Sequence, residues 1–175
     1  MCCSCKKNNI FKILSTLVFI FAIILIAIII INSNNTDEKN ILTAIAEDGD
    51  NTQIGDAIIN FSKNDILIGN AISHEPGSNN IFINETGIYQ ISYQLFGKSD
   101  TAETFNFNAI LIVNNSPLFD TINQSPVLTD DYPNRMTLTS TVILTLNSGD
   151  TLQLGGLSLE DITYPNARID IEKIG

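Results

Sequence analysis

Two hydrophobic patterns divide the chain. Ile13–Ile31 is an uncharged run in which Ser15 and Thr16 are the only polar side chains. At about 1.5 Å per residue, a helix of that length covers roughly the 30 Å hydrocarbon core of a bilayer. It also lacks the polar stripe of a helix packed on a globular core. The pattern predicts a single transmembrane helix at 13–31, a cytoplasmic tail at 1–12 and a polar linker at 32–40. A cleaved signal peptide is the alternative. Its apolar region is usually about 7–15 residues and ends in small residues, whereas this run ends Ile28-Ile29-Ile30-Ile31-Asn32.

Beyond the linker the period changes to two. Ile88–Phe96 places Tyr89, Ile91, Tyr93 and Leu95 on one face and Gln90, Ser92 and Gln94 on the other. Phe105–Val113 does the same with Phe105, Phe107, Ala109, Leu111 and Val113 against Asn106 and Asn108. Met136–Leu146 sets Met136, Leu138, Val142, Leu144 and Leu146 against a row of threonines, the composition of a half-wet strand. Ile81–Ile83, Thr151–Leu154 and Ala167–Ile174 also read as strands, with fainter ones at Ile41–Ala46, Ala57–Phe61, Ile66–Ile72 and Pro117–Ile122. Asn114-Asn115-Ser116-Pro117 reads as a turn and Asn147-Ser148-Gly149-Asp150 as a hairpin turn. Eight to ten short antiparallel strands in residues 41–175 predict an all-β, two-sheet jelly-roll sandwich. Ile110, Ile112, Phe96 and Ile143 fall on faces predicted to be wet, which predicts a surface covered by another subunit.

Charge orients the chain. Lys6, Lys7 and Lys12 precede the span, while Asp37 and Glu38 follow it, so the positive-inside rule places the N-terminus in the cytoplasm and the head outside or in a lumen. From Asn32 onward there are six basic and 19 acidic residues, a balance of −13, which excludes an electrostatic case for nucleic-acid binding. Cys2, Cys3 and Cys5 all lie in the tail. They read either as lipidation sites beside the membrane or as free thiols in a reducing compartment, and their spacing is too tight for a tetrahedral structural zinc. The head has no cysteine and must fold without disulfides.

Gly87-Ile88-Tyr89-Gln90-Ile91-Ser92-Tyr93 resembles the Gly-x-Tyr-x-Phe-x-Tyr core of the tumour-necrosis-factor-like and complement component 1q-like superfamily, most nearly the C-terminal head of BclA-like, collagen-like surface glycoproteins. Leu111-Ile112-Val113-Asn114-Asn115, Leu146–Leu152 and Ala167–Ile171 fall where such a head has its remaining strand ends. The resemblance covers 41–175 and implies a homotrimer. Tyr89, Ile91, Tyr93, Phe107, Leu111 and Ile143 are its candidate core or trimer-interface residues. The collagen stalk of those proteins is absent.

Catalytic patterns are missing. His74 is the only histidine and reads as a solvated loop residue, and no nucleophile elbow, phosphate loop or dinucleotide fingerprint occurs. No cofactor is implied, and a calcium site is the one metal to test. Its weak candidates are Asp48, Asp50, Asp130 and Asp131, with solvated acidic loops as the simpler reading, since no distal bidentate Glu completes a calcium loop. The five Asn-x-Ser/Thr sequons, at Asn34, Asn60, Asn84, Asn114 and Asn123, are no more than so Asn-rich a chain produces at random. The sequence thus predicts a membrane-anchored, trimeric, non-enzymatic surface protein whose head binds a protein or glycan or mediates adhesion. A purely structural coat component and a secreted head released by cleavage are the alternatives.

Overall fold

The computed structural model describes Val18, Ile20, Phe21, Ile23, Ile24 and residues 39–47, 55–100, 105–126 and 134–175. The chain divides into two compact units, Met1–Glu38 and Lys39–Gly175. In the first, the five described residues are helical, and their apolar side chains are 50–70% exposed. Among the described residues no helix is long and apolar enough to cross a membrane. Most of the predicted span, of the linker and of the cysteine-bearing tail lies outside the described residues.

The second unit contains β1 (Ile41–Ala46), β2 (Ala57–Ile58), β3 (Lys63–Ile68), β4 (Ile72–His74), β5 (Ile81–Ile83), β6 (Gly87–Ser99), β7 (Asn108–Val113), β8 (Ser116–Pro117), a 3-10 turn at Phe119–Thr121, β9 (Asn123–Gln124), β10 (Asn134–Leu146), β11 (Thr151–Leu157) and β12 (Thr163–Lys173). A five-stranded sheet runs β10-β6-β12-β1-β3. A seven-stranded sheet runs β4-β5-β11-β7-β8, with β2 paired to β11 and β9 to β7. All named pairings are antiparallel.

The period-two pattern places the core. On β6, Tyr89, Ile91, Tyr93 and Leu95 are buried, and their register partners Ile169 and Ile171 on β12 are buried with them. Phe105, Phe107 and Tyr164 form an aromatic cluster with ring centroids 5.5 and 5.7 Å apart. Glycine makes room for it, since a Cβ at Gly156 would stand 2.5–2.8 Å from the Tyr164 ring and one at Gly97 2.8 Å from that of Phe107. The buried tyrosines find partners for their polar ends: Tyr89 Oη donates to the Glu85 carbonyl (2.6 Å) and Tyr93 Oη to that of Thr121 (2.7 Å).

Several expected elements differ. The strand expected at Ile66–Ile72 is two strands in different sheets. Gly69, at φ +78°, turns the chain against Asn40, whose Oδ1 accepts from the backbone N–H groups of Asn70 and Ala71, both at 2.9 Å. Pro117–Ile122 is not a strand but a short pairing followed by the 3-10 turn, because Thr121 Oγ1 bonds both the Leu111 N–H and the Leu118 carbonyl and curls the backbone. Ala57–Phe61 pairs regularly only at Ala57–Ile58. Asn147–Asp150 is not a hairpin turn. β10 and β11 belong to opposite sheets, and this segment carries the chain across the sandwich, with Gly149 N–H donating to Ile83 O. The hairpin turn is instead Asn114-Asn115, both at positive φ (51° and 63°), where Asn tolerates the left-handed conformation of a two-residue connection. Ile110 and Ile112 are buried within the chain itself (0% and 8% exposed), packed about Gly155 and β2, so they need no second subunit.

Candidate functional site

The outward face of the five-stranded sheet carries the most unusual surface. Across the register, Ile143, Gln90, Glu172, Ile41 and Ile68 form one row, and Thr141, Ser92, Asp170, Thr43 and Ile66 form the next. Ile143 is 61% exposed, and Ile66, Ile68, Ile88 and Ile174 are 42–49% exposed. The exposed side of β10 is otherwise Thr137, Thr139, Thr141 and Thr145, with Arg135 at its start. A strand favours such residues, and several aliphatic side chains on one wet face form a patch rather than scattered exceptions.

Charged groups also lie on this face, with Arg168, Asp170 and Glu172 along β12 and Arg135 opposite Lys98 at the start of β10. Arg168 forks onto Asp170 with both contacts at 2.8 Å, and Thr43 Oγ1 donates to the same carboxylate at 2.5 Å. Partial burial alone would raise the Asp170 carboxyl, but the bonds from Arg168 and Thr43 outweigh it and hold the group below the ordinary carboxylate value. Asp170 in turn raises Arg168. Beside this pair lies an open cleft of about 380 Å³, floored by Ile45, Ala46, Phe96 and Ala167 and rimmed by Gln94, Thr137, Asn166 and Arg168. Pro165 interrupts the β12 ladder here and the register slips between Thr163 and Asn166, which opens the space.

A second patch sits at the β10 edge of the sheet. Phe119 is 70% exposed and Ile122 41% exposed on the 3-10 turn and its exit. Asn123 Nδ2 fastens this turn to the edge by donating to Thr139 O at 2.7 Å. The opposite edge is β3, where Ile66, Leu67 and Ile68 are exposed. The two aliphatic surfaces therefore lie at opposite ends of the same strand order.

The residues singled out from sequence separate into groups. Tyr89, Ile91, Tyr93, Phe107 and Leu111 are buried in the interior of the sandwich, each 0–1% exposed, so none can reach a neighbouring copy. Ile143 alone among the six faces outward. Asp48, Asp50, Asp130 and Asp131 lie outside the described residues, as do Cys2, Cys3 and Cys5. Among the described residues, no three His, Cys, Asp or Glu side chains group together as a metal site would require. His74 is not a solvated loop residue. It is 6% exposed on β4, bonded through its ring to Asn64 and the Ser78 carbonyl and packed edge-on against Phe61 at 6.0 Å. The Ser-His-Glu-Pro-Gly run suggests a loop, but the β4–β5 pairing draws His74 into the ladder opposite Ile81. Phe119 and Ile122 went unmarked because no period links them. Their only local signal is two apolar residues amid turn-forming neighbours.

Two antiparallel sheets packed around a shared aromatic core form a two-sheet jelly-roll sandwich. The crystal structure of murine APRIL at pH 8.0 is similar, with a TM-score of 0.55 and 12% identity over 78% of this chain and 100% of that one. The globular domain of zebrafish complement 1qA protein is similar at a TM-score of 0.53 and 10% identity, over 78% of this chain and 98% of that one. No family model and no curated protein matches the sequence. At these identities the likeness is one of fold.

Proposed function

We propose that the protein is a single-pass, membrane-anchored surface protein with a cytoplasmic N-terminus, whose jelly-roll head assembles as a non-enzymatic homotrimer that binds a partner or mediates adhesion. The observation that carries this reading is the pairing of two exposed aliphatic surfaces on opposite edges of one sheet. A surface that fits a different surface on the next copy is heterologous, and a heterologous contact closes into a ring when its rotation allows. Ile66, Leu67 and Ile68 on the β3 edge would meet Phe119, Ile122 and Ile143 at the β10 edge of the neighbour, and three copies are the number the fold likeness favours.

The anchor rests on the 13–31 run and on the exposed apolar side chains of its five described helical residues. A helical anchor confines copies to two dimensions and raises their effective concentration, so a modest interface suffices. The Gly87–Tyr93 motif supports a head of the BclA type carried without its collagen stalk. A protein or glycan is the partner class, since neither an acidic head nor the described surface offers a nucleic-acid footprint.

The test is the oligomeric state of the full chain in detergent micelles, read by light scattering and chemical cross-linking. The proposal expects three copies, reduced to one by Ile143→Asp with the circular dichroism of the head unchanged. A monomer in the parent chain, or a trimer indifferent to Ile143→Asp and Phe119→Asp together, would sink it.

A further inference from the structure

We propose that His74 is a proton-operated clamp between the free edges of the two sheets. β3 ends the five-stranded sheet and β4 ends the seven-stranded one, and His74 on β4 joins them. Its Nδ1 stands 2.5 Å from Asn64 Oδ1 on β3, and its Nε2 stands 3.1 Å from the Ser78 carbonyl oxygen. Both partners are held as acceptors by their other bonds. Asn64 Nδ2 donates to the His74 carbonyl at 2.9 Å, so reversing that amide would set one oxygen against another. Ser78 O is a backbone carbonyl that also accepts from the Phe61 N–H at 3.0 Å.

A neutral imidazole has one N–H and one lone pair, so one of these two contacts must oppose a lone pair to an oxygen. The imidazolium has two N–H groups and satisfies both. Burial of the cation opposes proton uptake, and two charge-assisted bonds to fixed acceptors offset that cost. The ring's own polar contacts are uncharged. The charged groups on the elements around it are Lys63 and Asp65 on β3, Glu47 just beyond β1 and Glu75 next in the chain; Phe61 and β5 bring none. Lys63 is already engaged, 2.5 Å from Glu47 and 3.6 Å from Asp65. Acidification therefore tightens β3 against β4. The inference needs only one chain and does not depend on trimerisation, although β3 carries Ile66 and Ile68 of the aliphatic face.

The full chain in detergent micelles, labelled with 15N-histidine, reports a single imidazole. Between about pH 8 and pH 5 both ring nitrogens should move to the protonated position with both N–H protons persisting. Over the same range exchange of the β3 and β4 amides, corrected for the intrinsic rate, should slow about tenfold. His74→Gln should abolish that pH dependence. Asn64→Asp, which sets a carboxylate opposite Nδ1, should move the transition to higher pH, and it remains informative if His74→Gln does not fold. The proposal is overturned if the ring keeps one N–H throughout, if His74→Gln shows the same pH-dependent protection, or if Asn64→Asp leaves the transition in place.

Discussion

The two faces of β6 and β10 are built from the same alternation and end in opposite circumstances. On the inward face Tyr89, Ile91, Tyr93 and Leu95 meet β12 and the far sheet and lose nearly all contact with water. On the outward face Ile88, Ile143 and their threonine and glutamine neighbours stay exposed. Burial of an isoleucine side chain contributes roughly 1.5–3 kcal/mol, so the inward face supplies folding energy and the outward face holds apolar area that folding of one chain leaves unused. Alternation separates the faces. Whether a second molecule covers the outer one depends on features beyond the strand.

Four perturbations sharpen that comparison. The largest effect is expected from Tyr93→Ala, which empties a core site and strips the Thr121 carbonyl of its donor. It should cost about 3–5 kcal/mol in chemical unfolding of the full chain. Gly156→Ala overfills instead of emptying. Its Cβ would collide with the Tyr164 ring, and a loss of about 1–3 kcal/mol is expected in the same measurement.

The tyrosines give an alkaline test of the inward face. Burial raises the phenols of Tyr89, Tyr93 and Tyr164 above the ordinary value of 10.0. A raised folded value stabilises below pH 10.0 and is lost as pH climbs through it. Tyrosinate absorbance of these three should therefore rise together with unfolding rather than before it. The outward face gives the smaller acid test. Asp170 is held below its ordinary value of 3.8, so its contribution is complete above pH 3.8 and fades as pH falls further. Asp170→Asn should flatten the acid limb of the stability curve slightly, because a half-exposed pair is screened. Equal sensitivity of the two faces to these changes would contradict the division drawn between them.

Much of the head was legible in its sequence, and the reasons are local. Strands with strict alternation, such as those around Tyr89 and Leu138, reveal their inner faces because a one-residue slip would expose every core side chain. Ile110 and Ile112 were misleading because their strand is covered on both sides, and a strand buried twice has no period to read. The split of Ile66–Ile72 was hidden because it rests on Asn40, a residue thirty positions away whose side chain caps the turn. Likewise the crossover at Asn147–Asp150 has the composition of a hairpin turn, and only the partners of β10 and β11 distinguish the two. Of the candidate site, Ile143 was visible as a break in a threonine row. The His74 contacts were not, because they join three segments through side-chain amide and carbonyl groups that leave no spacing behind.

The two ends of the head share one side. Lys173 N–H donates to the Asn40 carbonyl at 3.0 Å, and Ile88 N–H to that of Gly175 at 2.7 Å. A tag fused after Gly175 would therefore emerge on the side of the head that carries Asn40 and the start of β1. The turn at 158–162, which presents a wholly exposed Leu159 at the other end of β12, would keep its access and is the better place for a reporter.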